Sequence, residues 1–257
     1  MIKIASWNVN SIRVRLQQLQ QWLQQNAINI VALQETKCEK DKFPQAALDA
    51  MHYQAQWMGQ KSYNGVATVS LNDTRVVFTD TAIAEHEQKR FLAVDYHDLL
   101  IVNIYVPNGQ AVGSEKFAYK LSWLALLLDF IVEAQKTYSK IIILGDFNIA
   151  PTALDHTSAN YIGDDIMKSP IEQAMFQQIL DLGFVDSFRL FNTEAKQYSW
   201  WDYRLKAFDK NMGYRIDHVL VSKALVPACI HCEIDKTPRT LTQPSDHAPI
   251  ILTLDLL

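Results

Sequence analysis

The stretch Ile141–Pro151, IIILGDFNIAP, decides how the chain is to be read. Its four leading apolar residues, Ile141–Leu144, predict a fully buried strand, and Gly145 ends the run. Asp146 and Asn148 follow at once, where a central strand would open onto the sheet edge at which α/β folds usually bind ligands. Asp146 offers a carboxylate that can accept a proton or hold a cation. Asn148 offers an amide that can orient a water or a phosphate oxygen. A polar turn after a strand explains the same residues without function, because Gly, Asp and Asn are ordinary turn residues.

Working outward, the same pattern recurs. Ile2–Trp7 reads as a first strand ending in Asn8-Val9-Asn10. Helical spacing follows, with Ile12, Leu16, Leu19, Trp22 and Leu23 on one stripe. Ile28–Leu33 is a second buried strand, ending in Gln34-Glu35-Thr36, so the first two strands present polar ends as parallel neighbours would. A short helix over Phe43–Met51 leads into strands at Tyr53–Met58, Val66–Leu71, Arg75–Phe78, Phe91–Tyr96 and Leu99–Val106. Their short links imply antiparallel pairing. Ser114–Lys136 carries a long helical stripe of Leu121, Leu124, Leu128 and Ile131 and runs into the opening stretch. Beyond it, Ala153–Ser169 reads as a surface excursion and Pro170–Leu182 as a helix with Pro at its start. Tyr198–Trp201, Arg215–Val221, Ala228–Ile234 and Ala248–Leu254 read as the remaining strands. No repeat or linker divides the 257 residues, so one domain over 1–257 is expected, with two sheets packed face to face and helices outside.

Composition excludes more than it assigns. With 49% hydrophobic and 20% charged residues the chain is ordinary globular material. No apolar run approaches the roughly 18 residues of a membrane helix, and MIKIASWNVN lacks the apolar core of a signal peptide, so a cytoplasmic protein with no membrane association is expected. A net charge of −4 is neutral on nucleic acid, since an acidic metal site would offset a basic face. Cys229 and Cys232 form a lone CxxC with no second pair to complete a zinc site. Together with Cys38 they read as packing residues.

Asn8, Glu35, Tyr105, Asp146, Asn148, Asp217, Asp246 and His247 all fall at or near strand ends. Carboxylates and carboxamides are hard oxygen ligands suited to magnesium or manganese rather than zinc. Ser245-Asp246-His247 admits a nucleophilic serine, but no Gly-x-Ser-x-Gly elbow presents it. The preferred reading makes His247 a positioned imidazole with Asp217 orienting the ring and Asp246 near the metal; a carboxylate partner favours the protonated ring, which can hold a phosphate oxygen.

WNVN (Trp7–Asn10), LQET (Leu33–Thr36), NIYVPNG (Asn103–Gly109), SEKFAYK (Ser114–Lys120), GDFNIAP (Gly145–Pro151), YRIDHVLVS (Tyr214–Ser222) and SDHAPI (Ser245–Ile250) together resemble the signature series of the exonuclease III / apurinic-apyrimidinic endonuclease family. The resemblance runs in order through nearly the whole chain. It implies a four-layered α/β sandwich, two packed mixed β-sheets flanked by helices, and Mg2+-dependent hydrolysis of DNA phosphodiesters with Mn2+ as a substitute. On that resemblance Asn8, Asn10, Glu35, Asp146, Asn148 and Asp246 form the metal site, with Asn10 standing where many members carry Asp. Asp146 activates water, Asn148 binds phosphate, Tyr105 lies near the phosphate or leaving group, and Asp217 and His247 form the Asp–His pair. The expected partner is double-stranded DNA with abasic sites or 3′ ends, bound by a monomer.

DNA contact also needs cations. Arg13, Arg15, Lys37, Lys61, Arg90, Lys116, Lys120, Arg204, Lys206, Lys210 and Arg215 lie mostly in loops flanking the motifs, and several are expected on phosphates or, with His247, at the cleaved group. Trp200 and Tyr214 stand where the family places aromatics beside a pocket for a base-less sugar, although core packing would explain Trp200 equally well. The segment His156–Ser169, with Asp164, Asp165, Met167 and Lys168, falls where a lesion pocket would be walled. There the bulk of Met167 would favour 3′-end processing over abasic incision. The surviving acid, amide and imidazole positions speak against a non-catalytic DNA-binding relative, and the aromatic pair speaks against a lipid phosphatase.

Overall fold

The computed structural model describes residues 1–157 and 165–256. In chain order come β1 (Ile2–Asn8), α1 (Ile12–Asn26), β2 (Ile30–Gln34), α2 (Gln45–Asp49), β3 (Gln54–Met58), β4 (Val66–Ser70), β5 (Arg75–Val77) and α3 (Ala82–Glu85). Next are β6 (Phe91–Tyr96), β7 (Leu99–Tyr105), α4 (Glu115–Ala134), β8 (Lys140–Asp146), α5 (Pro170–Asp181) and β9 (Phe184–Asp186). The last are α6 (Ser187–Phe191), β10 (Asp217–Ser222), β11 (Cys229–Ile234) and β12 (Ile250–Leu254).

These strands form two six-stranded sheets, β11-β12-β1-β2-β4-β3 and β5-β6-β7-β8-β10-β9. Each sheet is mixed: β1/β2 and β7/β8 are parallel pairs inside otherwise antiparallel ladders. The opening run shows why the layers stack. Along β8, Ile142 and Leu144 face the other sheet, among Ile4, Ile30, Val219 and Leu252. Ile141 and Ile143 face the opposite way, onto Trp123, Leu127 and Phe130 of α4 and Ile179 of α5. Both faces are covered, so every residue of the run is apolar. On the far side Ala5, Trp7, Val31 and Leu33 pack against Ile12, Leu19, Trp22 and Leu23 of α1. The result is an α/β fold of helix, sheet, sheet and helix layers.

Helix ends follow the sequence chemistry. Ser114 caps α4 by accepting from the Phe117 N–H, and Ser169 with Glu172 forms a capping box around Pro170 at the start of α5. The stripe on α4 differs from the leucine reading. Leu124 and Ile131 face the sheet as expected, but Leu121 and Leu128 are only half-buried, because Trp123, Leu127 and Phe130 take the other sheet-facing positions. No strand forms at Tyr198–Trp201. Trp200 makes only isolated bridges to Tyr214 and His247, and the Trp201 N–H turns to the Asp246 carbonyl. The supposed excursion at Ala153–Ser169 is partly core: Asp155, Ile166 and Met167 are buried, while Asp164 lies outside the described residues. Short β9, α3 and α6 carry too few residues for periodicity to announce them. Cys38, Cys229 and Cys232 are free thiols, the first and last buried. Among the described residues no helix is long and apolar enough to cross a membrane.

A polar link crosses the inter-sheet core just beneath the site. Gln34 Nε2 donates to Asn103 Oδ1 at 2.9 Å, and Asn103 Nδ2 donates to the Leu33 and Ala67 carbonyls at 3.3 and 2.9 Å. Both side chains are fully buried. Asn103→Leu strands these acceptors and is expected to lower the unfolding free energy by about 1–3 kcal/mol. Urea unfolding reads the loss, and an unchanged midpoint would mean the link contributes nothing.

Candidate active site

The parallel pairs bring the polar strand ends to one edge. Register sets Tyr105 opposite Asp146 across β7/β8, and Asp146 opposite Asp217 across β8/β10. Gly145 makes this approach feasible: at φ 151° any β-carbon would lie 1.9 Å from the Ile104 carbonyl oxygen. Asn10, Glu35 and Asn148 hold left-handed backbones at φ 44°, 49° and 49°. Asn tolerates that region, while Glu pays strain for it. Such strain, gathered at one edge, is characteristic of a functional site.

From these backbones the side chains converge. Asp146 Oδ1 accepts the Asn148 N–H at 2.9 Å, and Oδ2 accepts from Asn8 Nδ2 at 3.0 Å. His247 Nδ1 meets Asp217 Oδ2 at 2.8 Å, and its Nε2 faces Asp146 Oδ2 at 3.7 Å. Burial works against a charged ring here, but Asp217 and then Asp146 outweigh it and raise His247 to about 10. Burial lifts Asp146 to about 7, against the opposing pull of His247. A protonated imidazole and an unusually basic carboxylate therefore face each other across a gap too long for a direct hydrogen bond.

The second group lies beside the first. Glu35 Oε1 accepts from Asn8 Nδ2 at 3.0 Å and from the Tyr105 hydroxyl at 2.8 Å, while Oε2 pairs with Lys37 at 2.7 Å. Burial would raise Glu35, but Lys37 overrides it and holds the carboxyl below its ordinary value. Burial and the neighbouring Glu35 push the Tyr105 phenol well above its usual range. Asn10 takes the Lys37 ammonium on Oδ1 at 2.6 Å and donates Nδ2 to Asp246 Oδ1 at 3.0 Å; Asp246 Oδ2 accepts from Trp200 Nε1 at 3.0 Å.

A hard divalent cation fits this second group. Glu35, Asn10 and Asp246 supply only oxygen donors, and a positive charge, that of Lys37, is already accommodated between two of them. Asp146, Asp217 and His247 also lie within 4.8 Å of one another. A protonated His247 offers a cation no lone pair, which leaves Asp146 and Asp217 as the members of that trio able to hold one. Asn8 and Asn148 sit at the same edge with their amides engaged by protein. Asn8 Oδ1 accepts the Asn10 N–H, Asn148 Oδ1 accepts from Asn108 Nδ2 at 3.1 Å, and Asn148 Nδ2 donates to the Val106 carbonyl at 2.9 Å.

The expected DNA-facing cations separate into two sorts. Arg90 stacks on the Tyr105 ring, 4.3 Å from its centroid, and with Asn108, Gly109, exposed Lys116 and Tyr119 lines a cavity of about 480 Å³. Arg13, Lys37, Lys42 and Lys61 line a smaller basic recess. Arg204 is exposed and pairs with Asp202. Other cations among them are tied into the fold. Arg15 ties the Asn10 carbonyl to the Pro244 carbonyl. Buried Arg215 pairs with Asp155 and Asp186, and buried Lys120 with Glu172. Trp200 is half-buried, its ring 6.1 Å from Tyr214 and 6.5 Å from His247, while Tyr214 is buried with Met167. Asn108 was not singled out from the sequence; its only signal is the Pro-Asn-Gly turn inside NIYVPNG.

Comparison with known proteins agrees with this geometry. Residues 5–247 match the Endonuclease/Exonuclease/phosphatase family. An exodeoxyribonuclease III from Haemophilus influenzae is 35% identical over 97% of this chain and 98% of its own length. Among solved structures, a 3′ phosphatase, NExo, from Neisseria, bound to a product DNA hairpin, superposes with a TM-score of 0.95 at 41% identity, covering both chains fully. An AP endonuclease from Archaeoglobus fulgidus superposes with a TM-score of 0.93 at 35% identity, again over all of both chains.

Proposed function

The chain belongs to the endonuclease/exonuclease/phosphatase family, and we propose that it is a DNA-repair phosphodiesterase of exonuclease III type, built as one catalytic domain over residues 1–257. Its substrates are duplex DNA incised 5′ to abasic sites, or 3′ ends from which nucleotides and blocking groups are removed. The observation that carries this reading is the Asp217–His247 pair facing Asp146 across 3.7 Å, beside the oxygen donors of Glu35, Asn10 and Asp246.

Asp146 takes a proton from the attacking water, whose oxygen bonds to phosphorus as the bond to the 3′ oxygen breaks; the departing oxygen takes a proton from solvent and leaves as a 3′-hydroxyl. The carboxylate is suited to this because burial has raised its basicity. His247, charged and fixed by Asp217, donates Nε2–H to a non-bridging oxygen. Asn148 spends one amide hydrogen on Val106 and directs the other to the phosphate. The Tyr105 hydroxyl, donated to Glu35 and kept neutral, stands on the leaving-group side. Glu35, Asn10 and Asp246 would hold magnesium, or manganese in its place, which when bound would supply Lewis-acid relief of the charge on the phosphate and leaving oxygen. Asn8 keeps Glu35 and Asp146 in register by donating to both. Arg90, Lys116, Arg13 and Arg204 take backbone phosphates along the strand; Trp200 borders the pocket for a base-less sugar, while Tyr214, expected there with it, is buried behind it and supports its ring. The protein acts as a monomer in the cytoplasm.

One assay tests this: an abasic duplex, a recessed 3′ end and a 3′-phosphate duplex, side by side, with EDTA and then added magnesium. Cleavage that EDTA abolishes and magnesium restores is expected; cleavage indifferent to EDTA contradicts the reading. Met167, buried against Phe117, Ala150, Ile166, Tyr214 and Ile216, supports the wall beneath Trp200. Its φ of 69° suits glycine. Met167→Gly is expected to raise abasic incision relative to 3′-end removal, and an unchanged ratio in the same assay discards that role.

A further inference from the structure

Beneath Asn148 and the Asn108 that donates to its side chain lies a salt bridge whose groups are both fully buried: Lys120 of α4 and Glu172 of α5. The ammonium has three donors, and all are used: it pairs with Glu172 Oε1 and donates to the carbonyls of Asn148, at 2.7 Å, and Asn108, at 3.3 Å. The carboxylate is equally occupied. Oε1 accepts the Met167 N–H at 3.1 Å; Oε2 accepts the Ser169 N–H at 3.0 Å and the Ser169 hydroxyl at 2.7 Å. Van der Waals contact repeats the connection. A β-carbon on Gly109 would lie 3.1 Å from Lys120 Cδ and 3.2 Å from Ile166 Cδ1, so the Asn108–Gly109 turn rests on the lysine stem and on the loop before α5. The Ala150 N–H in turn donates to the Met167 carbonyl. Three loops, carrying Asn108, Asn148 and Met167, thus converge on one ion pair.

Stability is a poor reason for such a pair. Two desolvated charges rarely outperform apolar side chains of similar size, and replacing a buried pair by a well-packed apolar one is often neutral or stabilising. What an apolar pair lacks is direction: it cannot hold two carbonyl oxygens and two amide hydrogens at fixed points. We propose that Lys120 and Glu172 are positioning residues, which set Asn108 and Asn148 for the phosphate and tie them to the wall at Met167. Catalytic rate and lesion preference then depend on the same buried contact. The inference rests on the phosphate-holding role given to Asn148 above.

The test uses Glu172→Gln, Lys120→Met and the double variant Lys120→Met/Glu172→Leu, with Leu128→Ala on the same helix as a stability control. Thermal midpoint, kcat and KM are measured on the abasic and 3′-phosphate duplexes. Glu172→Gln and Lys120→Met are expected to lower kcat by about tenfold or more, within the up to ~100-fold that an ångström of misplacement costs, with KM little changed and the ratio of the two activities shifted. The double variant should regain the midpoint without regaining kcat, and Leu128→Ala should lose midpoint but keep kcat. A double variant that recovers both, or single variants whose ratio and kcat match the parent, overturns the proposal. The side-chain amide resonances of Asn108 and Asn148, recorded without DNA, read the same coupling independently of catalysis. They are expected to shift in Lys120→Met, and unmoved resonances also overturn it. A parent enzyme inactive on DNA with shifted resonances would instead refute the functional reading alone.

Discussion

Asp146→Ala is expected to abolish measurable turnover, lowering kcat by about 10²–10⁴-fold, the range a general base contributes, while the protein stays folded. The fold survives because few contacts depend on the lost carboxylate. Asn8 Nδ2 keeps Glu35 as an acceptor at 3.0 Å, His247 keeps Asp217 at 2.8 Å, and the Asn148 N–H loses its acceptor. Burial already disfavours the charge of Asp146, so its removal relieves a cost as well as breaking contacts. Steady-state rates on the substrate found active, paired with circular dichroism, separate loss of chemistry from loss of structure. A kcat within tenfold of the parent would move the proton-accepting role elsewhere.

The second large effect is in the pH profile. Asp146 must be ionised to accept a proton, so kcat should climb as pH rises through about 7; a bound divalent cation nearby moves this limb lower by favouring the charged form. His247 must be protonated to donate, and with its value raised to about 10 the rate should fall only above that pH. Asp217→Asn removes the strongest support for the imidazolium. His247 then falls from about 10 toward its ordinary 6.5, with burial pulling it down and Asp146 and Asp246 still holding it up. The alkaline limb should therefore move down in pH, with a loss of up to about 10²–10³-fold where the ring is no longer charged, the size of one electrostatic donor. An unmoved alkaline limb would show that His247 does not act as the charged donor.

The legible parts of this molecule were those written locally. Gly145 breaks a four-residue apolar run, so Asp146 and Asn148 could be placed at a strand end before any contact was known. The parallel pairing of β1 with β2 followed from two such ends of like character. Charged residues were read less well, because burial depends on partners distant in the chain. Nothing near Lys120 announces Glu172, and nothing near Arg215 announces Asp155 and Asp186, so neither cation could be separated from those available to DNA. Arg15 was equally undecided, since its acceptor at Pro244 lies at the opposite end of the sequence. Tyr198–Trp201 had the composition of a strand, but bonds to Tyr214 and Asp246 draw it across the site instead of into a ladder. Asn108 was hidden in a turn whose chemistry explains it without function.

The central claim is attack of water on phosphorus at Asp146, and oxygen labelling tests it most directly. A recessed 3′ end is digested in H2(18)O under single-turnover conditions, and the released nucleoside 5′-monophosphate is weighed by mass spectrometry. One labelled oxygen in its phosphate, with release lost in Asp146→Ala, is the predicted result. Release of an unlabelled nucleotide, or labelled release undiminished in Asp146→Ala, would contradict it.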